Sequence, residues 1–495
     1  MSSICTSNVT SGFIDLATFD EIEKYMYGGP DATAYFVRET RKATWFTQVP
    51  VVLSRASGTP AFGQEWSVSI SRAGDYLLET WLRLTTPEVT LATTNAYTAN
   101  GSISWTRNFM HNIIRECAIT FNDLVAARFD NYHLDFWAAF TVPAGKRNGY
   151  NNMIGDFPAM YGPHNYNIAI AGVANPQTIP SFTLNLPLPL FFTRDSGVAL
   201  PTAALPYNDM RINFSFRDWT ELLVLSNTAV GTGVRSKAAT STDVISPTSI
   251  VLTGATQVWA NYAIVSNDER KRMACAPRDI LIEQVQTAPK QSFNTLNPQY
   301  DIRFSHAIKV LFFAARNTTV SSNWSNYTTY SPSYNVNYTR FAPIGTADPI
   351  KSTSLIYENT QRLSAMGSDY YSLVNPYYHA PVIPNDTGYH MYSYSLDFIC
   401  LDPMGSTNYG KLTNVSLNPE PSASAQSQYT SSSASGAWTQ TFEFITTAVN
   451  NNIIRISGGA LGKHGKPKIG RCFNSRGNTI RGKHFNTTNT HTRVC

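Results

Sequence analysis

Apolar and polar residues alternate along much of the chain. Trp66, Val68 and Ile70 alternate with Ser67, Ser69 and Ser71. After a turn at Ala73-Gly74-Asp75, the same period runs on through Tyr76, Leu78, Thr80, Leu82 and Leu84 to Pro87. A period of two places every second side chain on one face, so this stretch predicts a hairpin with one buried face. Cys117, Ile119 and Phe121 predict a further strand, stopped by Asn122-Asp123. From Leu124 to Phe140 the spacing changes. Phe129, His133, Phe136 and Phe140 fall on one face at helical intervals, which predicts the clear helix of this half. Strands with proline-containing connections follow from Pro187 to Phe216, around Asp195-Ser196-Gly197.

The N-terminal residues 1–30 read as an arm. Within it, Thr18-Phe19-Asp20-Glu21 predicts a capping box that opens a short helix running to about Tyr27, and Gly28-Gly29-Pro30 ends it. Residues 31–225 then form a first β-rich unit. Residues 226–257 are rich in Thr, Ser, Ala and Gly and predict a linker or long loops. A second β-rich unit covers 258–462. It opens on Ser266-x-x-Glu269, which caps a charged helix from Asp268 to Met273. Its predicted strands are Ile280–Val285, Ile302–Ser305, Ile308–Ala314, Ser354–Tyr357, Met391–Phe398, Leu412–Leu417, Trp438–Val449 and Ile453–Ser457. Residues 318–352 and 418–437 are expected to be surface loops, the latter solvent-facing. Many short strands and few short helices in two successive halves predict an all-β chain of two large antiparallel sandwiches.

Composition supports this reading and narrows the function. The chain has 495 residues, of which 42% are hydrophobic and 14% charged, so it carries enough apolar surface for more than one core. The formal charge of +5 is unevenly placed. Residues 463–495 hold eight Lys or Arg and no acid, which leaves 30 basic against 33 acidic residues in 1–462. A body with a charge of −3 does not offer the clustered cations that a nucleic-acid face needs, so no specific nucleic-acid partner is expected. The cysteines Cys5, Cys117, Cys275, Cys400, Cys472 and Cys495 contain no C-x-x-C pair and no zinc spacing, and are expected to be reduced thiols. No secretory leader and no membrane-length apolar run is found, so a soluble protein made in the cytosol is expected.

Candidate chemistry is sparse. No G-x-S-x-G, H-E-x-x-H, Walker A or complete G-x-G-x-x-G occurs, so no catalytic residue is assigned and no enzyme is expected. No cofactor is expected either. The best metal candidate is Asp130, His133 and Asp135. Asp130 and His133 share a helical face but Asp135 points elsewhere, so a core histidine is the favoured reading. Tyr370, Tyr371, Tyr377 and Tyr378 form a tyrosine cluster that suits a core, a protein–protein contact or a sugar-binding surface. Paired acids for glycoside cleavage are not apparent.

Six long strings carry a family resemblance. They are NVTSGFIDLATFDEIEKYMYGG (8–29), WTRNFMHNIIRECAITFNDLVAARFD (105–130), LPLPLFFTRDSGVALPTAALPYNDMRINF (186–214), LIYENTQRLSAMGSDYYSLVNPYYHAP (355–381), DPMGSTNYGKLTNVS (402–416) and NNNIIRISGGALG (450–462). Together they make residues 1 to about 462 resemble the major capsid proteins of iridoviruses, invertebrate members above all. The resemblance implies two consecutive eight-stranded jelly rolls, a homotrimeric pseudo-hexagonal capsomer, and tiling of an icosahedral shell over an internal membrane. It also implies contacts with neighbouring capsomers and minor capsid proteins, assembly in the host cytoplasm, and no catalytic residues. The other class of function that fits such a sandwich is carbohydrate or receptor binding.

The family pattern ends on the GGALG segment, whereas here Lys463 opens a basic, Asn/Thr-rich stretch without apolar periodicity. Nothing in 463–495 can form a core, and it is expected to be a disordered tail or the product of a shifted frame. Intact mass spectrometry of protein from virions is therefore expected to give a mass lacking this stretch; a mass matching all 495 residues would overturn that expectation.

Overall fold

The computed structural model describes residues 2–463, apart from 39, 41, 93–100, 163–176, 228–235, 253–255, 276–277, 294–297, 330–346, 426–439 and 458–459. The tail expected beyond 463 and most of the loop expected at 418–437 lie outside the described residues. Residues 1–45 form a unit of their own. It contains helices Ser2–Ala17 and Glu21–Met26. The capping box is present but displaced. Asp20 is the cap, accepting from the Ile22 and Glu23 amides at 3.0 and 3.1 Å, and Glu23 accepts from the Asp20 amide. Thr18 instead ends the preceding helix, its amide bonded to the Ile14 and Asp15 carbonyls and its hydroxyl donating to the Asp15 carbonyl.

The remainder begins with strand Phe46–Val52 and builds two successive sandwiches of antiparallel sheets, as the period of two predicts. In the first sandwich, one sheet has the order Phe46–Val52, Gln257–Val265, Tyr76–Thr85, Thr183–Pro187. The facing sheet runs Ser54–Ser57, Glu65–Ser69, Met210–Phe216, Ile114–Phe121, Leu124–Phe129. Trp66, Val68 and Ile70 point into the shared core as expected. The expected hairpin is not formed, because Glu65–Ser69 and Tyr76–Thr85 lie in opposite sheets. Each has one apolar face, and crossing the sandwich lets both faces bury in one core. Asp75 holds the crossing, accepting from the Val265 amide at 3.0 Å and pairing bidentately with Arg270.

Strand Tyr76–Thr85 also corrects its predicted face. Thr80, Leu82 and Leu84 are buried, but at the near end the inward residue is Leu77, and Leu78 is half-exposed. The ladder with Gln257–Val265 slips between Ala260 and Tyr262, and a one-residue bulge transfers the alternation to the other face.

The predicted helix from Leu124 is shorter than the pattern suggested. Asn122 and Asp123 take φ values of 47° and 63°, which closes a tight two-residue hairpin. Leu124–Phe129 therefore pairs with Ile114–Phe121 as a strand. The helix starts only at Asn131, capped by Asp130, and ends at Thr141. The expected linker 226–257 is also partly ordered. Ser236–Ala238 pairs with Leu223–Asn227, and Ala239, Val244 and Ile250 are buried. Gln257–Val265, of which the sequence assigned 258–265 to the second half, is bonded between two strands of the first.

In the second sandwich, the larger sheet has the order Arg278–Thr287, Phe442–Ser457, Ala307–Asn317, His390–Ser393, with three short strands added. Its partner runs Tyr300–Asp301, Val415–Pro421, Ile350–Tyr357, Thr360–Gly367. Several predicted bounds change. The strand predicted at Ile302–Ser305 is not formed, the pairing residues being Tyr300–Asp301 just before it; His390–Ser393 stops short of Phe398, and Val415–Pro421 extends into the expected loop. Two predicted strands are one, since Phe442–Ser457 continues through Asn450-Asn451-Asn452, all three of which pair across the ladder with Arg278–Thr287. Burying Leu82 without a cavity implies that Leu82→Ala will cost about 2–5 kcal/mol in urea unfolding, while Leu78→Ala will cost under about 1 kcal/mol. Equal losses would contradict the bulged register.

Candidate functional site

Strand Ala307–Asn317 is the key to how the two sandwiches join. It contains KVLFFAAR, and ten of its eleven residues are buried. One face, with Leu311, Phe313 and Ala315, fills the second sandwich's own core. The other face, with Val310, Phe312 and Ala314, packs on Tyr132, Phe136 and Phe140 of helix Asn131–Thr141 from the first sandwich. The Phe136 and Phe140 rings stack on Phe312 at 5.7 and 5.4 Å. A strand covered on both faces reads as a continuous apolar run, and this one does.

Charges trapped at that joint all have partners. Lys309 sits at a bulge, where the ladder with Phe442–Ser457 skips between Ile308 and Val310. Its ammonium is fully buried and donates to Glu283 Oε1 and the Cys400 carbonyl, both at 2.6 Å. Arg194, from the first sandwich, pairs with the other oxygen of Glu283, donates to the Ile399 carbonyl at 2.6 Å and lies 4.4 Å from the Trp137 ring. Burial first, and then Arg194, pushes the Lys309 ammonium down to about 8. Burial likewise lowers Arg194 to about 10.

A second knot lies at Asp135. Its carboxylate accepts from Asn108 Nδ2 at 3.2 Å, from Ser325 Oγ and Tyr327 OH at 2.9 Å, and bonds His111 Nδ1 at 2.7 Å. His111 Nε2 in turn meets Tyr150 OH at 2.7 Å. Ser325 and Tyr327 belong to the 318–352 stretch expected to be a surface loop. Of its described residues, 318–329 are instead inserted at the joint, and 350–352 open strand Ile350–Tyr357. Trp324 is gripped there between the guanidinium groups of Arg217, at 3.8 Å, and Arg316, at 3.9 Å, and its Nε1 donates to the Glu221 carbonyl. Each desolvated cation–π contact stabilises by about 2 kcal/mol. A polar Asn/Ser/Tyr composition looks like a loop in sequence, but here its hydrogen-bonding groups satisfy buried partners.

These contacts also dispose of the metal candidate. Asp130 is spent as a helix cap on the His133 amide, and Asp135 turns to His111, so the three side chains are not brought together. Among the described residues no group of three or more His, Cys, Asp or Glu is arranged to hold a metal. His133 is a buried histidine beside Phe129 and Trp137. Phe129 belongs to the preceding strand and not to the helix.

The four tyrosines separate. Tyr371 is core, 1% exposed, with its hydroxyl donating to the Thr353 carbonyl at 2.9 Å and its ring edge-on to Phe313. Tyr370 is half-buried against Tyr371. Tyr377 and Tyr378, on helix Asn375–His379, are 69% and 72% exposed and meet edge to face at 5.2 Å. Exposed Val374 precedes them, and exposed Leu396 accepts from His379 through its carbonyl at 3.0 Å. The chemistry of this surface is apolar contact with hydroxyl rims. The joint itself was missed by sequence reasoning, although the run at 310–315 was a signal for a strand buried on both sides.

The chain is similar throughout to proteins of one kind. Residues 34–265 match the family profile described as the major capsid protein N-terminus. Residues 269–462 match that of the large eukaryotic DNA virus major capsid protein. The major capsid protein of Invertebrate iridescent virus 6 is 64% identical over 471 residues, covering 93% of this chain and 99% of that protein. That of Costelytra zealandica iridescent virus is 63% identical over 466 residues, with the same coverages. That of Frog virus 3 is 45% identical over 477 residues, again with these coverages. Among solved structures, the PBCV-1 virus capsid gives a TM-score of 0.65 at 19% identity, covering 88% of this chain and 100% of that one. The Faustovirus major capsid protein gives 0.65 at 12% identity, covering 88% and 94%. These structural likenesses bear on the fold, which is the double jelly roll.

Breaking the buried triad on one side should be severe. Glu283→Gln leaves Arg194 and Lys309 as neighbouring buried cations, and is expected to destabilise the protein by about 3–5 kcal/mol in urea unfolding. A loss below about 1 kcal/mol would show that the triad does not hold the joint.

Proposed function

The chain belongs to the major capsid proteins of large eukaryotic DNA viruses, and from that premise we propose that it self-associates as a homotrimeric capsomer. The observation that carries the reading is the joint itself. Two sandwiches in one chain share a doubly buried strand whose charged side chains are ion-paired, so each subunit presents two lobes held together. Three such subunits give six near-equivalent lobes, and six lobes suit hexagonal tiling of a capsid shell. We divide the lobes after Val265, because Gln257–Val265 is bonded into the first.

In this reading neighbouring capsomers and minor capsid proteins are the partners, the shell covers an internal membrane, and assembly takes place in the host cytoplasm. The protein acts by contact and not by catalysis. The exposed Val374, Tyr377, Tyr378 and Leu396 surface serves as a contact between subunits or capsomers, since Tyr is favoured at such interfaces. A second reading rests on the same exposed pair. Two tyrosines presented edge to face with free hydroxyls also fit a saccharide, which makes receptor binding on the shell's outer loops the alternative.

Analytical ultracentrifugation of the purified full chain is expected to show a trimer at micromolar concentration, and electron microscopy hexagonal arrays. A persistent monomer would overturn the proposal. Replacing Tyr377 and Tyr378 together by Ser is expected to leave folding stability within about 0.5 kcal/mol and to weaken association at least about tenfold. Unchanged assembly with lost binding on a glycan array would favour the alternative.

A further inference from the structure

Among the described residues, His133 is a buried ionisable group at the joint with no ion-pair partner. It lies in a small pocket lined by both sandwiches, with Trp137, Leu190 and Arg194 on one side and Glu283, Val285 and Val449 on the other. Its Nδ1 is buried and has no hydrogen-bond partner. The groups facing it from each packed element are few. Its own helix contributes Trp137 and the capping carboxylate Asp130, the latter spent on the His133 amide. The preceding strand contributes the Phe129 ring, 6.3 Å away. The segment before the first sandwich's short turns contributes Arg194, and strand Arg278–Thr287 contributes Glu283 and Val285. Strand Phe442–Ser457 adds only Val449. Lys309 stands behind Glu283.

The pocket has no carboxylate to spare for a further cation. Glu283 is the one carboxylate lining it, and both its oxygens are taken by the cations Arg194 and Lys309. A proton arriving on His133 would therefore add a cation beside Arg194 that no free carboxylate lining the pocket can meet, since Asp397 and Asp402 act on Arg194 and Lys309 and Asp130 caps the helix. We propose that His133 is an acid-sensing latch, whose protonation drives the first sandwich's helix Asn131–Thr141 away from the second sandwich's sheet. The change is a proton uptake alone: an O–H bond of hydronium breaks, an N–H bond forms on the imidazole, and water leaves.

Direction follows from linkage. Burial first, and then the Arg194 charge, holds the closed imidazole down to about 3, against an ordinary value near 6.5 once it reaches water. The opened state thus binds more protons throughout the interval between these values. Opening is favoured by up to about tenfold for each pH unit below 6.5, and the drive saturates only near pH 3. Most carboxylates stay charged down to about pH 5, so the interval from 6.5 to 5 isolates the histidine. His111 and His390 are also buried, but each bonds an aspartate, at 2.7 and 2.9 Å, which supplies the countercharge His133 lacks.

The latch rests on the joint and on no assumption about oligomeric state, so it is testable whether or not the protein is a trimer. The full chain would be taken from pH 7.5 to 5 while hydrogen exchange of segments 131–141 and 278–287 is followed by mass spectrometry. In the wild type, the opening equilibrium of both segments, taken from exchange rates divided by the intrinsic amide rate at each pH, is expected to rise together by more than tenfold. In His133→Gln, which is neutral at every pH, the rise is expected to fall below threefold. An equal rise in His133→Gln, or its loss in His390→Gln instead, would overturn the proposal. Should His133→Gln fail to fold, histidine C2-proton exchange on the wild type decides. A titration of His133 below pH 5 supports the latch, and a midpoint near 6.5 refutes it.

Discussion

A β-sheet buried on both faces cannot leave a charge without a partner, and the architecture follows from that constraint. Strand Ala307–Asn317 has the second sandwich's core beneath it and helix Asn131–Thr141 above it. Yet it carries Lys309 and Arg316, both nearly inaccessible to water. Moving such ions out of water costs several kcal/mol each unless ion pairs and hydrogen bonds replace the solvent. The partners come from other elements. Glu283 and the Cys400 carbonyl serve Lys309, while Glu443, Tyr132 and the Ser321 carbonyl serve Arg316. Four segments far apart in sequence are thereby held at fixed positions around one strand.

The same requirement explains why the joint is specific and not merely sticky. Phe136, Phe140 and Phe312 would pack in several registers, because apolar contact is not directional. Hydrogen bonds are directional. Asp135 accepts from Asn108, Ser325 and Tyr327 and bonds His111, and these groups meet only when helix 131–141, the 107–112 turn and the 318–329 insertion all stand in place. The insertion adds Trp324 between Arg217 of one sandwich and Arg316 of the other. A shell subunit must keep its two lobes in one relation through many identical contacts, and a joint of this kind supplies that rigidity. His133, whose Nδ1 has no hydrogen-bond partner and whose ring has no paired carboxylate, contrasts with His111 and His390 in that region.

The N-terminal unit and the Tyr377–Tyr378 surface have the opposite character. Phe13, Ile14, Leu16, Tyr25 and Met26 of the arm are exposed, as are the two tyrosines. Contiguous exposed apolar residues mark contact surfaces in proteins that assemble. These exposed apolar side chains contrast with the ion-paired, buried polar groups of the joint.

Local order was legible in the chain because it depends on neighbours in sequence. The period of two at 66–70 and 80–84, the caps near residues 20 and 266, and the turn at Asn122-Asp123 all depend on residues within a few positions, and each predicted an element. The two-sandwich fold and the absence of a catalytic motif were readable on the same basis, and the family strings pointed to a capsid. What failed needed distant partners. The bulge that turned Leu78 outward is set by Ala260–Tyr262, the crossing at Asp75 by Val265 and Arg270, and the strand at 124–129 by its pairing with 117–121. The fate of Tyr371 against Tyr377, the burial of 318–329, and the triad around Glu283 were decided by tertiary packing alone. Sequence states which groups must be buried or satisfied, but only the folded chain brings together the residues, often more than a hundred positions apart, that satisfy them.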